Sequence, residues 1–323
     1  MCCTVTDITA IGEILIDLTQ TGVNESGVPL FAANPGGAPA NVAVAAARLG
    51  AHTAFIGKTG RDGFGRYLRR VLADNGVDDA GLLESELPTT MAIVSVDGSG
   101  ERDFRFARGA DNELAPEEVD VNAAAGSKIL HFGSVSLTPG PARAATLFAA
   151  RSAKDARVLV SYDPNYRSAL WDSRENAVKW MRTPLPLVDI LKLSEEELPL
   201  VIGTSDLEEG TRLLERQGVK LIMVTLGGNG VFCRWMGKGW HQPGIPVKVA
   251  DTNGAGDTFL AAVLSRLCRR GSGPLEGLER AELKDILAFA NRAAAFTCSR
   301  SGAIPAMPTL AELFDEKGAP LLP

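Results

Sequence analysis

Five short apolar runs, at 53–57, 128–133, 157–163, 188–193 and 219–227, recur between longer stretches rich in Ala and Leu. This alternation restricts the fold more than any other feature of the chain. Each run is too short and too continuously apolar for a surface helix, and suits a strand buried on both faces. The intervening stretches read as helices at 38–49, 62–75, 139–156, 173–182, 195–202, 206–217, 254–270 and 281–299. In the last of these Leu283, Ile286, Leu287, Ala290, Ala294 and Thr297 fall at spacings of three and four, which is one helical face. Strands alternating with helices predict an α/β fold: a mostly parallel, doubly wound sheet flanked by helices. A chain of 323 residues can bury the core this needs, and no repeat, low-complexity tract or composition break divides it. Residues 1–323 are therefore expected to form a single domain.

One region breaks the rhythm. Residues 89–109 alternate polar and apolar around "DGSGE", the pattern of an antiparallel hairpin. The segment 17–33 carries Leu30 and Phe31 among polar residues and is expected to pair with that hairpin as a small β lid. A free lid edge also offers a way to pair with a second copy as a homodimer, although edges can be covered within one chain.

The formal charge of −6 argues against nucleic acid or an anionic membrane as the main partner, which leaves a small molecule. Five cysteines and three histidines without metal-ligand spacing indicate neither zinc nor a disulfide framework. The opening "MCCTVTDITAIGEILIDL" lacks a basic leader and is interrupted by Glu13 and Asp17, so it does not read as a signal peptide. No run of about 18 apolar residues could span a bilayer. A cytoplasmic location is the simplest expectation.

Familiar nucleotide motifs fail on spacing. "GKT" at 57–59 would need a glycine at His52 to make a phosphate-binding P-loop, and the glycines at 63–65 and 227–230 meet Leu68 and Cys233 where a dinucleotide fingerprint needs another glycine. A nicotinamide dehydrogenase is disfavoured. "DTNGAGDTFL" at 251–260 is more informative, because Gly254, Ala255 and Gly256 follow an expected strand at 245–250 and open an apolar helix. Free N–H groups and the helix dipole attract an anion there, and glycines let a phosphate approach. Thr252 and Asn253 are good caps for this helix, and Asp257 itself could be only a cap, the commoner explanation for an isolated G-x-G-D. Gly36, Gly37 and Asn41 sit at a second loop-to-helix junction where a hydroxylated ligand could lie against backbone, and Asn41 both donates and accepts. Asp17 is either a solvated strand-end carboxylate or a ligand for paired sugar hydroxyls. Asp163, Asn165 and Arg167 leave a strand at its C-terminal end, where open α/β sheets place ligands, or simply form an Asp-Pro turn. Glu195, Glu196 and Glu197 read as an acidic first helical turn, or Glu197 reaches Mg²⁺ through water.

Together these pieces resemble the PfkB, or ribokinase-like, family of carbohydrate kinases, and within it the fructokinase branch. The resemblance rests on "GGAPANVAVAAARLGAHTAFIGKTGRDGFG" (36–65) and "DTNGAGDTFLAAVL" (251–264), with "GERDFRFAR", "HFGSVSL", "SYDPNYRSALW" and "RSGAIPAMP" pointing to the branch. It implies a ribokinase-like fold with a β lid, ATP and Mg²⁺ as cofactors, and phosphoryl transfer to the C6 hydroxyl of fructose. Asp257 is implied as the base, and the backbone of Gly254, Ala255, Gly256 and Asp257 as the anion hole. Asp17, Gly36, Gly37, Asn41, Arg108 and Arg167 are implied as sugar contacts. Ser194, Thr225, Gly227, Gly230, Gly256 and Asn291 are implied at the nucleotide, and Glu197 at water-bound Mg²⁺. Many members bind a monovalent cation such as K⁺, and Asp251, Asn253, Thr297, Arg300, Gly302 and Ala306 match those positions. The family's N-x-x-E motif departs here to Ser194-Glu195-Glu196-Glu197, which bears on magnesium hydration. Related kinases of 2-keto-3-deoxygluconate or ribose are the nearest alternatives, and a non-catalytic sugar or nucleotide sensor is a more distant one.

Overall fold

The computed structural model describes residues 6–96, 102–271 and 273–314. The strands are β1 (Thr6–Ile11), β2 (Leu15–Val23), β3 (Pro29–Gly36), β4 (Thr53–Gly60), β5 (Val77–Ser85), β6 (Met91–Val96), β7 (Arg102–Ala107), β8 (Ser127–Gly133), β9 (Leu159–Asp163), β10 (Ile190–Ser194), β11 (Leu221–Thr225), β12 (Val231–Trp235) and β13 (Lys238–Gln242). Nine of them form one sheet in the order β13-β12-β11-β10-β9-β8-β1-β4-β5, and only β12 and β13 run antiparallel to their neighbours. The five apolar runs all become strands of it. Helices cover both faces, so the strands bury Ile8, Ile129, Ile190 and Leu221 into one core, and Leu130, Val160, Leu191 and Val224 into another.

From β1 the chain winds one way to β4 and β5, then crosses to β8 and winds the other way. The order therefore reverses between β1 and β8, and an open sheet leaves a crevice at the C-terminal ends of such strands.

The remaining four strands make a smaller sheet, β3-β2-β6-β7, which is the lid. β2 pairs in parallel with β6 from Ile16 opposite Met91 to Thr19 opposite Val94, and β6 pairs antiparallel with β7. The expected turn at 97–101 lies outside the described residues.

Local details differ from expectation. Residues 243–249 form no strand, because Pro243 and Pro246 lack the N–H a ladder needs and Gly244 adds no packing. The helix expected from 195 starts at Leu198, so the three glutamates precede it. The helix expected from 139 starts at Pro141, which occupies its first turn.

Candidate active site

The helix Ala255–Cys268 begins with Gly254 as its N-cap, in the left-handed region at φ 75°. Neither Thr252 nor Asn253 caps it, since no side chain bonds the first N–H groups. Ala255 N–H turns back to the Thr252 carbonyl at 3.3 Å, and Thr258 N–H opens the helical ladder to Gly254 at 2.8 Å. The amides of Gly256 and Asp257, lying between them, precede the first α-type bond and are the donors the turn offers to an anion.

This turn divides two cavities. On one side a cavity of about 330 Å³ is lined by Thr225, Gly227, Gly230, Ala255, Gly256 and Asn291, with apolar walls from Ile245, Val247, Phe259 and Ala294. That size and lining suit a cofactor-sized ligand. The Asn291 amide donates to the Pro243 carbonyl at 2.7 Å, which fixes the irregular 243–249 segment as one wall. On the other side Asp17, Gly37, Asn41, Arg167, Gly254 and Asp257 line a polar cavity, joined by Glu13, Val135 and the lid residue Phe106. Glu13 follows β1 and Val135 follows β8, so this cavity sits in the crevice where the strand order reverses. A third recess, at the ends of β9 and β10, carries Asn165, Arg167, Lys192, Ser194 and Glu197.

Asp257 is buried, and Asn41 donates to its Oδ2 at 2.8 Å. Burial, reinforced by nearby Asp163, pushes its carboxyl up to about 6 despite the Asn41 bond and the charges of Lys192 and Arg167. Asp17 rises to about 6 as well, chiefly through burial, with Arg167 opposing and Asp257 adding to the rise. Gly36 lies beneath Asp17, where a Cβ would collide with the carboxylate. At Gly37, with φ 106°, a Cβ would press on the Glu13 backbone, so both glycines are required for close approach.

Glu197 accepts Tyr166 N–H at 2.6 Å and Ser194 N–H at 2.8 Å, clasping the loop after β9 to the end of β10. Asp251 accepts Gly302 N–H at 3.0 Å and Asn253 N–H at 3.1 Å, bringing those three residues together. Thr297 and Arg300 flank the nearby end of the helix Arg280–Cys298, where Arg300 N–H bonds the Thr297 carbonyl at 3.2 Å, and Ala306 is buried in the short turn Ile304–Ala306.

Arg108 departs from the expected arrangement. It is not among the residues lining the polar cavity: it pairs with buried Asp111 at 2.8 Å and donates to Thr138 at 3.0 Å, and it reaches the carbonyl of Val135, a lining residue, at 3.4 Å. Two residues escaped the sequence reading. Glu13 appeared only as a charge interrupting an apolar run, yet burial pushes its carboxyl up to about 8 and its Oε1 accepts Ala38 N–H at 3.1 Å. Lys192 was one residue in an apolar run; a lysine inside a buried strand was the available signal.

A mostly parallel sheet with a β lid, and a phosphate-seeking turn between a polar and an apolar cavity, define a two-substrate group-transfer enzyme. The chain matches the family described as pfkB family carbohydrate kinase over residues 5–310, and it belongs to that family. It is 41% identical over 314 residues to fructokinase-1 of Zea mays, covering 95% of this chain and 96% of that one. Among solved structures it resembles a fructokinase with bound ATP from Xylella fastidiosa, with a TM-score of 0.88, 32% identity, and coverage of 95% and 96% of the two chains. It also resembles a double-mutant fructokinase from Vibrio cholerae O395 in a form binding fructose, ADP and potassium ion, with a TM-score of 0.83, 30% identity, and coverage of 95% and 97%.

Proposed function

We propose that this chain is an ATP-dependent fructokinase that transfers the γ-phosphoryl group of ATP to the C6 hydroxyl of D-fructose. The observation that carries this reading is the Gly254–Asp257 turn, which presents Gly256 to the apolar cavity and Asp257 to the polar one. Nucleotide and sugar then meet across two backbone amides. Asp257 accepts the C6 proton as that oxygen attacks phosphorus, while the amides and the helix dipole hold the phosphoryl oxygens. Asp17, Asn41 and Arg167 orient the sugar, and Gly36 and Gly37 let it approach the backbone. Thr225, Gly227, Gly230 and Asn291 shape the nucleotide side. Closure of the lid, taken as 17–33 and 89–109 of a single kinase domain, excludes water that would hydrolyse ATP.

Magnesium fits the recess at β9 and β10. Each Glu197 oxygen accepts one backbone N–H and keeps a lone pair for a metal-bound water, next to Ser194. Among the described residues no cluster of three or more His, Cys, Asp or Glu could cage an ion, which suits a cation that arrives with phosphates and water. Bound there, it would supply positive charge to the phosphate oxygens. Asp251, Asn253, Thr297, Arg300, Gly302 and Ala306 would hold a potassium ion mainly through backbone carbonyls, adding charge behind the turn.

No helix among the described residues is long and apolar enough to cross a membrane. The free thiols Cys233, Cys268 and Cys298 suit a cytoplasmic location. Val23, Val28, Leu30 and Phe31 are 58%, 54%, 47% and 43% exposed along β2, β3 and their connection, a lid surface apolar enough to pair with a second copy. Sedimentation of wild type and Phe31→Asp tests this: a dimer that Phe31→Asp dissociates is expected, and a monomeric wild type would overturn it. The function itself is tested by a panel of fructose, ribose, 2-keto-3-deoxygluconate and glucose with coupled ADP detection. Fructose is expected to give the highest kcat/KM, and preference for another sugar would refute the assignment.

A further inference from the structure

We propose that Lys192 is a catalytic cation that contacts the β,γ-bridging oxygen of the nucleotide and neutralises the charge it gains as phosphoryl transfer proceeds. The inference rests on the kinase reading above but assigns a group which that reading does not use.

Lys192 lies within β10 and is only 7% exposed, a rare position for a lysine. Leu191 and Leu193 point into the core on one face of the sheet, so Lys192 projects to the other, beneath the helix Ala255–Cys268. There its Nζ donates to Asp163 Oδ2 at 2.8 Å. A Cβ placed on Gly256 would lie 2.9 Å from the same Nζ, so the ammonium rests against the anion-binding turn. A side chain at position 256 would displace it. Lys192 also lines the recess that holds Arg167, Ser194 and Glu197.

Stability alone does not account for the pair. A buried ion pair often contributes no more than well-packed apolar residues of the same volume, because desolvation offsets the attraction. Burial by itself would lower the lysine's pKa, but Asp163, Glu197 and Asp257 outweigh it and leave the pKa raised, so the charge is permanent at neutral pH. One ammonium proton is committed to Asp163, leaving two donors for another acceptor. As the bond from γ-phosphorus to the bridging oxygen breaks, its electron pair stays on ADP, the bond from the sugar oxygen forms, and the sugar proton passes to Asp257. Lys192 meets the electron pair on ADP from its place against the anion-binding turn. Asp163 acts as a positioning residue by holding the ammonium in place.

The experiment compares wild type, Lys192→Gln and the charge-balanced Lys192→Met/Asp163→Asn double variant, using whichever sugar the wild type turns over best. For both variants kcat is expected to fall about 10²–10³-fold, as for loss of one preorganised electrostatic donor, with ATP KM changed less than about fivefold. Calorimetry should show ADP bound normally but the ternary complex of sugar, ADP and aluminium fluoride, a mimic of the transferring phosphoryl, weakened in parallel with kcat. Turnover within about threefold of wild type in Lys192→Gln, or aluminium fluoride affinity unchanged in either variant, overturns the proposal. If the double variant misfolds, Lys192→Gln still decides, since its amide can hydrogen-bond Asp163 without carrying charge. A wild type that turns over no sugar refutes the kinase reading and this inference together, whereas an active wild type with active variants refutes only the latter.

Discussion

Removing the Asn41 amide should shift the pH at which the enzyme loses activity. Asn41 Nδ2 donates to Asp257 Oδ2 at 2.8 Å in a buried setting, a hydrogen bond to the charged form of the proposed base. Such bonds to ionised groups contribute about 1.5–3 kcal/mol, and one pKa unit corresponds to about 1.4 kcal/mol. Their loss should raise Asp257 from about 6 by roughly one to two units, because the bond favours the carboxylate over the acid. Asn41→Leu keeps the volume and removes the donor. Asp17 titrates in the same range, so the comparison is made in an Asp17→Asn background, which leaves Asp257 as the cavity acid titrating near 6. The assay is the pH profile of kcat/KM for fructose from pH 5 to 9. Asp257 must be ionised to act, so activity falls as pH drops through its pKa, and the midpoint should move from near 6 to roughly 7–8. Loss of the sugar contact lowers the whole profile but does not move its midpoint. A midpoint that stays within about 0.3 units would refute the claim that this amide tunes the base.

Three further predictions use the buried acids. Asp257→Asn should lower kcat about 10²–10⁴-fold with little change in ATP KM, and near-normal turnover would remove Asp257 as the base. The same variant should be the more stable protein above pH 6. A folded pKa of about 6 against an ordinary 3.8 means that ionised Asp257 costs about 3 kcal/mol, absent below pH 3.8 and complete above pH 6. Glu13, with its carboxyl at about 8, stabilises the fold as a neutral acid, and wild type should lose up to about 1.4 kcal/mol per pH unit between pH 4.5 and 8. Denaturant unfolding of Glu13→Gln should show a flatter dependence over that window, and an equal slope would contradict the neutral assignment.

Five strands of the parallel core, β4 and β8 to β11, were legible because they are buried on both faces and mostly apolar, as in β11, whereas β1 was not among the expected strands. β5 and the pair β12 and β13 were harder to see. β5 reads "VDDAGLLES", with two adjacent aspartates, and β12 contains Arg234, whose charge is paired with Glu208 and Glu215 across the fold. The failed strand at 245–250 shows the converse, since its apolar residues suggested a ladder that Pro246, with Pro243 just before it, prevents. At the site, glycines and small polar residues marked the anion turn and the sugar junction, because a close approach leaves a local signature. Arg108 carried no such constraint. Its charge suits a sugar contact, and the structure pairs it with Asp111, buried three residues away with its own charge to satisfy. Pairs between segments distant in sequence, such as Arg234 with Glu208, have no spacing rule, which is also why the pairing of Lys192 with Asp163 required the fold.

The arrangement around Asp257 explains why its environment contains opposing charges rather than being simply apolar. Burial and Asp163 raise the carboxyl, while Asn41, Lys192 and Arg167 lower it, and the balance at about 6 leaves it ionised yet basic at neutral pH. Burial without those partners would carry the group toward the protonated state that Glu13 reaches at about 8, which would disable a base. Asp163 connects the two halves of this balance, because the carboxylate that raises Asp257 also fixes the Lys192 ammonium at 2.8 Å. Neutralising Asp163 alone should therefore lower the Asp257 pKa while loosening Lys192, so Asp163→Asn in the Asp17→Asn background is expected to shift the acid limb of kcat/KM below pH 6 and reduce kcat in the same variant. A fall in kcat with an unmoved limb would separate the two effects and confine Asp163 to holding the lysine.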